Sequence, residues 1–253
     1  MKIEVFVVNK KIDNTKKNNK KMVISFIINI IISILTLNAI IMSVMGIKFM
    51  YGYEPSLELT RVPIFSYYTF QSNVFMGIIS FIFANREYQI FRGRKKDIPL
   101  GYYILKMVAT VSVCLTFFVV FAIFGFMAKG GHIPLLQNSN LFFHLIIPVI
   151  SILNFILFEK SNIIKFKHIF YGLLPTILYE IYYTINILIT MKNGKVSLEN
   201  DWYSFTQNGI LRTILVAPAM LFITLFISLI IWKLNKKNDY LTSDSDTKRP
   251  VKK

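Results

Sequence analysis

Residues 22–46, MVISFIINIIISILTLNAIIMSVMG, run without one charged side chain. A bilayer core about 30 Å thick takes roughly 20 apolar residues of α-helix, so this stretch is long enough to cross it. It is also longer than the apolar core of a signal peptide and lacks a small-residue cleavage site, which makes it a retained span. Five further apolar runs follow, near 65–84, 103–127, 141–158, 169–190 and 210–232. With 54% hydrophobic and 17% charged residues and a mean hydropathy of +0.53, the chain departs from the balance of a soluble domain. The expected fold is all-α: a polytopic membrane helical bundle with six transmembrane helices. It forms one integral membrane domain over 1–253, with short basic tails at 1–21 and 233–253.

The net charge of +16 would suggest nucleic acid on a soluble fold, but its distribution says otherwise. Lysines precede the first run, Arg86, Arg92, Arg94, Lys95 and Lys96 fill the second loop, Lys160, Lys165 and Lys167 the fourth, and lysines end the chain. The intervening loops hold only Lys48, Arg61, Lys129, Lys192 and Lys195. The positive-inside rule then places both termini in the cytoplasm of a multi-pass cell-membrane protein. No aromatic residues are interleaved with the lysines and no nucleic-acid motif appears, so the expected partners are membrane lipids, with anionic headgroups at the basic segments. Cys114 is the only cysteine, which excludes an intramolecular disulfide and a multi-thiolate metal site. No metal or other cofactor is expected. The abundance of Lys, Asn and Ile suggests an AT-rich bacterial genome, and nothing in the sequence sets an oligomeric state.

Polar side chains inside spans normally face protein or a cavity, so their angular positions mark the interior. Asn29, Ser33, Thr36 and Ser43 share one face of helix 1. Thr69, Asn73, Met76 and Ser80, with Ser72 beside them, share one face of helix 2, and Gln71 points away. Helix 4 aligns His144, Pro148 and Ser151, and helix 5 aligns Thr176, Tyr179, Glu180, Tyr183 and Asn186. Interhelical hydrogen bonding explains most of these. Glu180, near the middle of a span, must be neutral, paired or hydrated; Tyr179 and Tyr183 are candidate donors, and Lys106 and Arg212, near helix ends, are the only cations within the spans. Thr69 and His144 lie at one depth, about 5–7 Å below the same face. A hydroxyl and an imidazole there have the chemistry of a nucleophile and its general base. Pro148 deprives the His144 carbonyl of its α-helical partner and opens the helix at that level.

At these residues the chain resembles the androgen-induced membrane protein family, which includes bacterial six-helix relatives. The resemblance rests on Tyr68-Thr69-Phe70-Gln71-Ser72-Asn73, on His144 with Pro148, and on Trp202-Tyr203-Ser204-Phe205. It implies an intramembrane threonine hydrolase of fatty-acid esters, with Thr69 attacking a lipid ester carbonyl and His144 taking its proton. Where relatives carry a proline in the last triplet, this chain has Ser204. Asn73, Tyr179, Glu180 and Tyr183 are the expected substrate-binding residues. Two other functions stay open: small-molecule binding or transport through a polar cavity around Glu180, and a non-enzymatic membrane protein.

Overall fold

The computed structural model describes residues 2–50, 62–127, 133–159, 161–197, 199–206 and 210–243. The structure is 80% helix, with no strand among the described residues. The main helices are α1 (Lys2–Met45), α2 (Tyr68–Phe91), α3 (Leu100–Val119), α4 (Ile147–Leu157), α5 (Leu174–Thr190) and α6 (Ile210–Ser243). The basic segment 2–21 continues α1 rather than forming a separate tail.

Three of these helices have irregular extensions. α3 runs on through a π turn, Val120–Phe124, into Gly125–Met127; α4 is entered through Ser139–Leu141 and a second π turn, Phe142–Ile146; α5 is entered through a 3-10 turn, Phe166–Leu173. Pro148 and Pro175 sit in the first turns of α4 and α5, and Pro218 lies inside α6. α1 and α2 each run out into a glycine with positive φ, Gly46 and Gly93, where a side chain would be strained.

Five segments are long and apolar enough to cross a membrane: Asn19–Met45, Leu100–Phe124, Ser139–Leu157, Phe166–Thr190 and Leu215–Lys236. They overlap five of the six expected spans. The other expected span falls in α2, whose 24 residues reach about 36 Å. Thr69, Gln71, Ser72 and Asn73 make its first turns too polar to stand with those five. That helix starts three residues later than its apolar run, because Phe65 belongs to a 3-10 turn, Val62–Ser66, and it continues past Ala84 to Phe91.

The helices are amphipathic in the inverted sense. Ser25, Asn29, Thr36 and Ser43 of α1 are buried, whereas Ile27, Ile31, Ile34, Leu37 and Ile41 are exposed. Phe222 and Phe226 of α6 and Leu188 and Ile189 of α5 are likewise exposed. A polar interior beneath an apolar exterior suits a hydrocarbon solvent, as in an integral membrane protein.

α3 contributes to two of the three apolar clusters. Ala109 and Val113 join Ile32, Phe70, Met76, Phe143 and Ile147, while Met107, Val111 and Leu115 join Phe155, Ile227 and Ile231. Small residues permit the closest helix approaches. A Cβ on Gly77 would lie 2.7 Å from Thr36 Cγ2, and one on Gly172 would lie 2.6 Å from Ser228 Oγ.

Candidate functional site

The π turn at Phe142–Ile146 sets the geometry around His144. In it the Ile147 amide donates to the Phe142 carbonyl, five residues back. The next bond of that pattern would run from residue 148 to the Phe143 carbonyl, but proline has no amide proton. Asn73 Nδ2 of α2 takes its place, 3.1 Å from the Phe143 carbonyl and 2.7 Å from the Thr69 carbonyl. In the wider helix there, the Phe143 carbonyl is also left without an amide by Pro148. Both amide protons of Asn73 are committed to the two helices of the site, while its Oδ1 has no partner.

His144 is buried and its Nδ1 stands 2.7 Å from the Leu135 carbonyl. A carbonyl only accepts, so Nδ1 carries the proton and Nε2 of the neutral ring keeps its lone pair. Among the described residues none hydrogen-bonds to Nε2. Leu135 belongs to the 3-10 turn Ile133–Leu136. That loop is pinned by Asn138, which holds φ +54° while its Oδ1 accepts from the Phe49 and Met50 amides at 2.8 and 2.9 Å. Thr69 lies half-buried in the first turn of α2. No hydrogen bond joins it to His144; the link between the two is backbone through Asn73, reinforced by the edge-to-face rings of Phe70 and Phe143 at 5.7 Å.

The third motif segment closes on the same end of the bundle. Tyr203 Oη accepts from the Tyr68 amide at 3.1 Å, and the Tyr67 ring meets Tyr203 and Trp202. Ser204 has φ +55°, a conformation proline cannot adopt, so the serine in the triplet has a local backbone reason. Asp201 ties this loop together. Its carboxylate accepts from Tyr183 Oη, from the Phe205 and Thr206 amides at 3.0 and 2.9 Å, and from Thr206 Oγ1. Burial raises its pKa, but these hydrogen bonds outweigh burial and hold the carboxyl below its ordinary value.

The expected group around Glu180 does not assemble. Tyr179 Oη donates to the Ser66 carbonyl and receives the Trp202 indole, at 2.8 and 2.9 Å, and Tyr183 donates to Asp201. Both tyrosines therefore serve the aromatic wall, while Glu180, half-buried, keeps a buried Oε1 without a partner. The Arg212 side chain lies outside the described residues.

Lys106 does not snorkel. It is fully buried and donates to Asn29 Oδ1 and, at 2.7 Å, to Ser80 Oγ, with Glu159 Oε1 3.5 Å away. Asn29 Nδ2 reaches Glu159 Oε1 at 2.7 Å and Glu87 Oε2 at 3.4 Å, and Asn154 Nδ2 reaches Glu159 Oε1 at 2.7 Å. Asn235 of α6 bonds the Phe155 and Glu159 carbonyls. This cluster joins α1, α2, α3, α6 and the end of α4. Its acids, and Asp201, escape a search for polar residues inside apolar runs because all three sit beyond the run ends. Among the described residues no group of three His, Cys, Asp or Glu is placed to hold a metal ion.

No family model matches the chain, and neither a curated protein nor a solved structure matches it.

Proposed function

We propose that this chain is a six-span membrane protein with both termini in the cytoplasm, and that it hydrolyses lipid esters with Thr69 as nucleophile and His144 as base. The asymmetric distribution of lysine and arginine supports the orientation. α2 serves as the sixth span because its polar side chains Ser72, Asn73 and Ser80 are buried against protein, which removes their cost in lipid.

The observation that carries the chemical reading is the state of the imidazole. Its Nδ1 is anchored on the Leu135 carbonyl, its Nε2 is left as an acceptor, and the ring sits on a π turn, a feature frequent at functional sites. The same orientation of an imidazole by one nitrogen, with the other acting as base, underlies nucleophilic hydrolysis in general. Thr69 Oγ1 would attack the ester carbonyl as His144 Nε2 accepts its proton. Collapse of the tetrahedral adduct breaks the ester bond, and the alcohol leaves with that proton. Water, deprotonated by His144, then attacks the acyl-threonine and releases the fatty acid, restoring both side chains. The convergence of segments 68–73, 144–148 and 202–205 at one end of the bundle favours this reading over a cavity at Glu180, whose neighbouring hydroxyls are engaged elsewhere.

The test is turnover by purified protein in detergent on a panel of fatty-acid esters, including esters of hydroxy fatty acids. Thr69→Ala and His144→Ala are each expected to lose activity by about 10²–10⁴-fold, with the Thr69→Ala unfolding midpoint close to wild type and that of His144→Ala lowered by the stranded Leu135 carbonyl. Equal turnover by all three proteins would remove the proposal.

A further inference from the structure

The buried cluster at the other end of the bundle has one cation and two acids, and its hydrogen bonds do not balance if both acids are ionised. Lys106, Glu87 and Glu159 are each at least 98% buried. With both carboxylates charged the cluster would carry a net negative charge in a medium of low dielectric, which is strongly unfavourable. Two further acceptors, Glu159 Oε2 and Asn154 Oδ1, are buried without any donor. They belong to the two groups already joined by the 2.7 Å bond from Asn154 Nδ2 to Glu159 Oε1. A carboxylic acid and a primary amide pair through two bonds: amide N–H to the acid carbonyl, and acid O–H to the amide oxygen. The first bond is present, and the two atoms the second needs are the two left over.

We propose that this cluster is a binding site for one exchangeable proton, carried on Glu159 Oε2 and donated to Asn154 Oδ1, with Lys106 and Glu87 as the compensating charges. One proton satisfies both orphaned oxygens and brings the net charge to zero. The groups facing it are Ser25 and Asn29 from α1, Ser80 and Glu87 from α2, Lys106 from α3, Asn154 from α4 and Asn235 from α6. Arg86 is turned away, bonded to Asp97, and among the described residues Lys106 is the one fully buried cation of the cluster.

Burial pushes both carboxyls above the usual carboxylate range, Glu87 to about 8 with the Glu159 charge adding to it, and Glu159 against the pull of Lys106. What selects Glu159 as the carrier is geometry, the orphaned Oε2 beside the orphaned Asn154 Oδ1. Because the folded pKa is raised, the stability the site contributes is full below the ordinary glutamate pKa. It is lost as pH rises through the folded value. Five helical elements meet at this proton, so its loss loosens the whole basic end of the bundle. The inference is independent of the chemistry proposed for Thr69 and His144.

Infrared difference spectra of the full chain in phosphatidylcholine vesicles at neutral pH test it. Wild type minus Glu159→Gln is expected to show a protonated-carboxyl C=O band that shifts in D2O, and absence of that band overturns the proposal. The acceptor assigns the band: Asn154→Leu is expected to move it to higher frequency, and an unmoved band, as a proton on Glu87 would give, overturns the assignment to Glu159. Sodium distinguishes a proton from a metal cation. The unfolding midpoint is expected to be the same in sodium and choline chloride at equal ionic strength, and a saturable rise with sodium alone overturns the proton.

Discussion

Replacing Asn73 by alanine isolates the bond that holds the candidate site together. The substitution removes both side-chain donations, but the Thr69 carbonyl lies within α2 and keeps a helical amide as partner. Only the Phe143 carbonyl is stranded, beside a ring that is fully buried. A buried unsatisfied carbonyl costs about 1–3 kcal/mol, and polar bonds between membrane helices average about 0.6 kcal/mol with a maximum near 1.7. The unpartnered Asn73 Oδ1 leaves with the side chain and offsets part of the loss. The expected destabilisation is therefore about 1 kcal/mol. The decisive comparison is with Pro148→Ala, which restores an amide at the position that should serve Phe143. In that background Asn73→Ala is expected to cost less than about half as much. The assay is reversible unfolding in mixed micelles of dodecyl maltoside and sodium dodecyl sulfate, followed by circular dichroism. Equal costs in the two backgrounds, within about 0.3 kcal/mol, would refute the claim that Asn73 substitutes for the missing proline amide.

Further expectations concern other contacts. Gly77→Val should force α1 away from α2, since even a Cβ meets Thr36 at 2.7 Å, and cost about 1–3 kcal/mol; Thr36→Ala should recover part of it, and a neutral Gly77→Val would contradict the close approach. Asp201 contributes stability above the ordinary aspartate pKa and loses it as pH falls through its lowered folded value. Trp202 fluorescence should therefore stay constant down to about pH 4 and change only below it, a transition absent from Asp201→Asn; a midpoint above that pH would refute the sign. In a Cys114→Ala background, an impermeant maleimide should label Lys195→Cys from outside intact cells and Lys95→Cys only after permeabilisation. The reverse pattern would overturn the orientation.

The apolar runs were legible because a helix in lipid must be apolar for about 20 residues, and five of them coincide with segments of that character. Polar faces were legible for the same reason: Asn29, Thr36, Ser43, Asn73, Ser80, Ser151 and Thr176 are all buried. What an angular plot at 100° per residue misses is a change of helix type. The π turn extends the effect of Pro148 to the Phe143 carbonyl, which Asn73 serves. Partners joined by tertiary closure were also hidden. Lys106 resembled an interfacial lysine until Glu159, 53 positions later, closed over it, and Tyr183 found Asp201 rather than its helical neighbour Glu180.

The central claim, that Thr69 is a nucleophile activated by His144, is tested most directly by mass spectrometry of the protein after reaction with a lipophilic fluorophosphonate. A single phosphonyl adduct is expected on the peptide containing Thr69, absent in Thr69→Ala and strongly slowed in His144→Ala. An adduct on another residue, or labelling that persists in Thr69→Ala, would contradict it.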